Sequence, residues 1–224
     1  MKYRYEKPVK MPRGSHYGCD YWIAKSFKLH RSVQLYSMLE YANYLELEMN
    51  PDVEYFCEQP VSVELLVGSK MRQTIFDFWV SYADGSEEFQ EVKYQSDLEG
   101  TEKAALRSQE QVKRQESWCK INNFSYKIIT DQNLFGYKYR SQNLSLLSSY
   151  MSRFEISPDC ELYLKNLKKY AVQPITISTI LTEGLLESGS EWMILTYLYY
   201  TGKIRININD RPLDTSSEVK IIGN

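Results

Sequence analysis

Residues 74–80 read Thr-Ile-Phe-Asp-Phe-Trp-Val, a β-branched and aromatic run with a single carboxylate, Asp77, at its centre. Such a run is expected to form a central strand. A charge buried inside it is costly unless something pairs with it. Any fold the chain adopts must therefore bring Asp77 a cation or hydrogen-bond donors. Ala83-Asp84-Gly85-Ser86 follows as a hairpin-turn signal. Phe89-Gln90-Glu91-Val92-Lys93-Tyr94 then reads as the returning strand, which places Glu91 across the hairpin from Asp77. Lys93, two residues after Glu91, points to the same face.

Two carboxylates on adjacent strands with a lysine beside them suit phosphodiester hydrolysis. A divalent metal is placed against a non-bridging oxygen, with a water in line with the leaving oxygen. Mg²⁺ takes hard oxygen ligands and keeps several waters. Asp77 and Glu91 are the candidate ligands, with the Val92 backbone carbonyl as a further one. Lys93 is placed to orient the attacking water and offset charge developing on the phosphate. Glu40, at the edge of a helical apolar stripe, adds a third carboxylate, with Glu46 and Glu48 as rivals on the same helix. Taken alone, an Asp…Glu-x-Lys pattern equally fits strands that carry solvated charges on one face.

Ser32 is a candidate cap for a helix running to about Glu48, with Leu35, Leu39, Ala42 and Leu45 at helical spacing. Strands are expected over 53–56, 61–67, 74–80, 89–94 and 126–130, with a turn at Gly68-Ser69. Thr101 is the expected cap of a long helix ending near Ile121. This order predicts an α/β (α+β) domain, a mixed sheet flanked by helices. From about residue 140 helices are expected over 144–154, 161–170, 175–186 and 191–200. An alternating strand, Lys203 to Ile208, and its return at 219–222 complete a winged-helix pattern. The expected divisions are a basic arm at 1–31, a catalytic domain at 32–140 and a winged helix at 141–224.

The formal net charge of the 224-residue chain is −2, but the charge is unevenly spread. Residues 1–31 hold eight Lys and Arg against Glu6 and Asp20 alone. A basic leading arm on an acidic body points to phosphate binding by the arm. Arg13, Lys25, Lys28, His30 and Arg31 are the DNA-contact candidates there, with Lys103 and Arg107 one turn apart on the long helix. The second helix of the winged-helix pattern, residues 191–200, contains no Lys or Arg. Base and phosphate contacts lean on such side chains, so this domain is expected to bind chiefly protein. Lys203 and Arg205 remain phosphate candidates on its wing strand. Cys19, Cys57, Cys119 and Cys160 form no Cys-x-x-Cys pair, which argues against zinc. With no signal-peptide pattern and no membrane-length apolar run, a cytoplasmic protein with reduced thiols is expected.

Five ordered segments, Ser37-Met38-Leu39-Glu40, Leu45 to Val53, Glu58-Gln59-Pro60, Phe76-Asp77-Phe78 and Glu91-Val92-Lys93, resemble the TnsA family, the transposon-end endonucleases of Tn-seven-like elements. Trp118 to Asp131 and Tyr200-Thr201-Gly202-Lys203-Ile204 extend the likeness. The resemblance implies a restriction-endonuclease-like catalytic domain using Mg²⁺, with Mn²⁺ as a substitute. It puts the family's helix acid on Glu40, its strand aspartate on Asp77 and its lysine on Lys93. The position two before the lysine is Gln in the best-known member and Glu91 here, and Phe76 stands where many restriction enzymes have Pro. The implied activity is nicking at the 5′ ends of a transposon in bacterial, nucleoid-associated DNA. The implied partners are DNA, an integrase-type transposase (TnsB-like) cutting the 3′ ends and an AAA+ regulator (TnsC-like). Two other readings stay open: a stand-alone restriction or repair nuclease, and a non-enzymatic winged-helix regulator.

Overall fold

The run 74–80 breaks at its charged residue. In the computed structural model, which describes residues 2–11, 20–67, 70–151, 159–170 and 174–222, one strand ends at Ile75 and the next starts at Phe78. The chain divides into two compact units, Met1–Leu47 with Asp52–Gly136, and Glu48–Pro51 with Tyr137–Asn224. The basic leading segment falls in the first unit.

The first unit runs β1 (Trp22–Ser26), β2 (Arg31–Leu35), α1 (Met38–Met49), β3 (Val53–Glu58), β4 (Ser62–Val67), β5 (Lys70–Ile75), β6 (Phe78–Tyr82), β7 (Glu87–Lys93), α2 (Gln95–Glu99), α3 (Lys103–Ile121), β8 (Ser125–Thr130) and α4 (Asp131–Phe135). Its main sheet has the order β3-β6-β7-β8. β6 pairs antiparallel with β3 and β7, whereas β7 and β8 are parallel. Parallel neighbours need a crossover, and α2 and α3 provide it. β4 and β5 leave the sheet as a separate antiparallel ribbon, as do β1 and β2. This is a mixed α/β fold of the restriction-endonuclease-like kind. Gly85, at φ 83°, makes the hairpin turn after β6; residues with a Cβ rarely adopt that conformation.

Three sequence expectations change in this unit. The segment 31–35 pairs with β1, so Ser32 lies in a strand, and Ser37 caps α1 instead: its Oγ accepts from the Glu40 amide at 3.0 Å. The helix expected from Thr101 starts at Lys103 with Glu102 as its cap, after the separate turn of α2. The strand expected over 74–80 is two strands: the Asp77 side chain takes the Val92 N–H at 2.7 Å, while its carbonyl still takes the Gln59 N–H at 2.9 Å, the next rung of the β3–β6 register. The Gly68-Ser69 turn lies outside the described residues.

Burial follows the sheet. Trp79 stands opposite Cys57 on β3 and Phe89 on β7, and Phe76, Phe78, Trp79 and Phe89 are all buried. Residues 2–11 pack against this sheet. Tyr3 stacks on Tyr55 with ring centroids 3.9 Å apart, and Tyr5 meets Trp79 and Phe89 edge-on. Such aromatic pairs contribute about 0.5–1.5 kcal/mol each. The exposed Lys2–Glu54 and Arg4–Glu87 pairs are screened by water and contribute little. The rings therefore hold the segment more than its charges do.

The second unit contains α5 (Arg140–Met151), α6 (Cys160–Lys168), β9 (Ile175–Thr176), α7 (Ile177–Thr182), α8 (Glu191–Tyr200), β10 (Ile204–Ile206) and β11 (Glu218–Ile221), with strand order β10-β11-β9. The helix expected from residue 175 begins two residues later. Ile175 and Thr176 pair with β11, and Thr176 Oγ1 caps α7 by accepting from Thr179 N–H. Buried Asn143 ties α5 to the turn before β11. It donates to the carbonyls of Ile208 and Arg211 and accepts from Leu213 N–H. Among the described residues, no helix is long and apolar enough to cross a membrane.

Arg31 is engaged within the fold. Its guanidinium grips the Glu58 carboxylate at 2.5 and 2.6 Å, and Glu58 is 1% exposed. Arg31→Met leaves that charge buried and unpaired. It is expected to cost about 3 kcal/mol in chemical denaturation, with most of the loss recovered in R31M/E58M. Equal stability of the single variant and the parent would show the pair to be dispensable.

Candidate active site

The break at Asp77 turns a carboxylate out of the sheet into a cleft. Asp77 Oδ2 accepts from Val92 N–H, so the aspartate is fixed to the strand that carries Glu91 and Lys93. On β7, Lys93 Nζ lies 2.7 Å from Glu91 Oε1, as expected of residues two apart on one strand. Asp77, Glu91, Lys93 and Arg107 line a single cleft of about 850 Å³, together with Arg72 and Arg114. Two acids and a lysine thus share the cleft with three arginines, of which Arg114 pairs with Glu110.

Glu91 is fully buried, and three donors reach its oxygens. Besides Lys93, Gln111 Nε2 donates to Oε1 at 2.8 Å and Gln115 Nε2 to Oε2 at 2.9 Å. Both glutamines stand on α3, four residues apart and therefore on one helix face. Tyr126 of β8 holds Gln115 in turn, donating to its Oε1 at 2.8 Å. Glu40, in the first turn of α1, accepts from Tyr36 N–H, Ser37 Oγ and Gln59 Nε2. Gln59 is buried and sits at φ 39°, a left-handed conformation that costs a non-glycine residue about 1–2 kcal/mol. It joins three parts of the site: its side chain reaches Glu40, its amide donates to the Asp77 carbonyl, and its carbonyl accepts from Val9 N–H.

The carboxylates crowd one another. Burial raises the Glu40 carboxyl to about 8, with repulsion from Asp77 and more weakly Glu91, against the donors at Tyr36 and Ser37. Burial and Asp77 raise Glu91 to about 7, against Lys93 and Gln115. Asp77 is also pushed up by burial, opposed by Lys93 and the Val92 amide. For Lys93, burial disfavours the charge, but Asp77 and Glu91 outweigh it and hold the ammonium protonated.

Three carboxylates facing one lysine leave an excess of negative charge on hard oxygen donors, which fits a divalent cation such as Mg²⁺. Among the described residues, no three His, Cys, Asp or Glu side chains converge closely enough to hold an ion by themselves. A cation here would be held by two carboxylates and completed by water.

The other expected DNA contacts scatter. Arg107 lines the cleft and Lys103 is exposed one turn earlier on α3. Lys25, Lys28, His30 and Arg31 belong to the β1–β2 hairpin. Lys25 and His30 are exposed, Lys28 is half-buried, and Arg31 is committed to Glu58. Arg13 lies outside the described residues. Sequence reasoning missed Arg72, Arg114, Gln59, Gln111 and Gln115. The spacing of Gln111 and Gln115 on the expected long helix was the one signal for that pair.

A mixed sheet flanked by helices, with two acids and a lysine gathered at one cleft by adjacent strands, is the arrangement of a restriction-type nuclease domain. Residues 50–131 match the family described as TnsA-like endonuclease N terminal. Over those residues the first unit is similar to the N-terminal domain of TnsA-like endonucleases. Asp77, Glu91 and Lys93 lie inside the matched stretch, and Glu40 lies ahead of it. Among curated proteins, none matches the chain.

The crowding sets a pH dependence. Glu40 and Glu91 hold protons in the folded state that the unfolded chain, at the ordinary 4.5, has already released. Without metal, stability is therefore greatest near pH 4.5 and falls as pH rises towards about 8. The melting temperature in EDTA should decline across this range, and Glu91→Gln should flatten the decline. A parent profile that is level would contradict the crowding.

Proposed function

We propose that the first unit is a Mg²⁺-dependent DNA endonuclease and that Asp77, Glu91 and Lys93 perform the cut, with Glu40 assisting. The observation that carries this reading is the meeting of two acids and a lysine on the floor of an arginine-rimmed cleft, inside a TnsA-like endonuclease domain. Asp77 and Glu91, with the Val92 carbonyl as a further oxygen, would hold the cation. When bound, such an ion lowers the pKa of water and neutralises charge on the phosphate. Lys93, held protonated, orients the attacking water and offsets charge on the phosphate in the transition state. Glu40 stands behind these residues, its carboxyl held by Tyr36, Ser37 and Gln59. Gln111 and Gln115 keep the Glu91 carboxylate oriented without adding charge. Arg72, Arg107 and Arg114 grip the DNA backbone on the rim.

In this reading the protein nicks the 5′ ends of a transposon while an integrase-type transposase cuts and joins the 3′ ends, with an AAA+ regulator directing insertion. The order α7, α8, β10, β11, with β9 closing the small sheet, supports a winged-helix reading of the second unit. The lack of Lys and Arg in α8 favours protein partners for that unit. Arg205 and Lys203 on the wing are its candidates for phosphate contact.

Incubated with supercoiled plasmid carrying transposon ends and the partner transposase, the protein should nick in Mg²⁺ and not in EDTA. Asp77→Ala and Lys93→Ala should each lower the rate about 100-fold or more. Undiminished nicking in EDTA or in both variants would refute the assignment. The full chain with Lys203→Ala and Arg205→Ala is expected to keep nearly all its DNA affinity in a gel shift. A tenfold loss would move DNA contact to the second unit.

A further inference from the structure

The N-terminal segment carries four basic side chains among its described residues, and they divide into two pairs. Lys2 and Arg4 meet Glu54 and Glu87. Lys7 and Lys10 are exposed and, among the described residues, meet no acid within ion-pair distance. Both line a second cleft of about 580 Å³, shared with Arg31, Gln34, Tyr36 and Gln59. Arg31 is neutralised there by Glu58, so the two lysines set the cleft's positive charge. The backbone that carries them is fixed on both sides: Tyr55 Oη donates to the Glu6 carbonyl at 3.1 Å, and Val9 N–H donates to the Gln59 carbonyl at 2.8 Å.

This cleft neighbours the one that holds Asp77 and Glu91. Met11 lines both. Gln59, on the lining of the second, bonds the Glu40 side chain and the backbone of Asp77. A strand whose phosphate rests at the carboxylates continues past the cut in two directions. On one side the catalytic cleft offers Arg72, Arg107 and Arg114; on the other, the neighbouring cleft offers Lys7 and Lys10. Two separate ammonium groups in an open cleft suit a polyanion, because each phosphate contact gains by releasing counterions.

We propose that the second cleft carries the sugar–phosphate backbone of the DNA beyond the scissile bond, with Lys7 and Lys10 as its phosphate contacts. This rests on the nuclease reading above and extends the DNA path to a surface that reading does not use. The contacts are to backbone only, so they set register without reading sequence.

The test measures binding of a fluorescein-labelled duplex by the full chain in an Asp77→Asn background, so that the DNA stays intact, over a range of KCl concentrations. Nicking by the native protein in Mg²⁺ is followed in parallel. K7A/K10A should weaken binding about tenfold at low salt and reduce the slope of log K against log salt by about 2. K7R/K10R should restore both. K120A, which removes an exposed lysine at the end of α3, should change neither. Because the lysine side chains are exposed, all variants should melt with their parent. Unchanged affinity and slope in K7A/K10A, with native nicking intact, would overturn this path alone. Absence of both nicking and DNA binding in the parent would overturn the nuclease reading with it.

Discussion

One hydrogen bond organises the catalytic unit: the Val92 amide donating to Asp77 Oδ2 at 2.7 Å. A main-chain donor given to a carboxylate is a charge-assisted bond, contributing roughly 1.5–3 kcal/mol. Its structural reach is wider. The side chain occupies a donor that a continuous strand would have left to backbone pairing, so 74–80 cannot run as one element. β5 is released to pair with β4, β6 remains in the main sheet, and the carboxylate emerges beside Glu91 and Lys93. On the β3 side the Asp77 carbonyl takes the Gln59 amide as the next rung of the ladder, and Gln59 in turn reaches Glu40 and the N-terminal segment.

The electrostatics of the site depend on what satisfies Glu91. A fully buried carboxylate needs donors, and cations would serve, but every added positive charge would lower the attraction for a metal ion. Gln111 and Gln115 donate without charge. They keep the carboxylate oriented and its negative potential high. Lys93 is the exception, a charged donor 2.7 Å from the Glu91 carboxylate. The left-handed backbone at Gln59 is compatible with this design: local strain is tolerated because three elements fix the residue.

The meeting of Asp77, Glu91 and Lys93 was legible because it is local. Asp77, Glu91 and Lys93 lie in consecutive strands joined by a short turn, and the period of two sets the relation between the last two. Three features were hidden for physical reasons. Strand propensity in Phe76-Asp77-Phe78-Trp79-Val80 favours a continuous strand, and only tertiary donors break it. The Ser32 and Ser37 positions both look like helix caps, and pairing of 31–35 with β1 decides between them. Gln59 precedes Pro60, which favours extended backbone, so nothing in the chain announces its positive φ. The arginines of the cleft rim come from β5 and α3, and only the fold brings those together.

The parallel pairing of β7 with β8 has a consequence in time. Asp77, Glu91 and Lys93 sit within a short stretch, but the glutamines that orient Glu91 arrive on the crossover helix, and Tyr126, which holds Gln115, arrives on β8. The crossover must close before the carboxylate is locked. During synthesis, the strands bearing the cutting residues leave the ribosome well before the helix that aligns them. Only a chain extended through β8 can assemble the complete cluster, so the buried carboxylate stays without its full set of donors until the domain is whole.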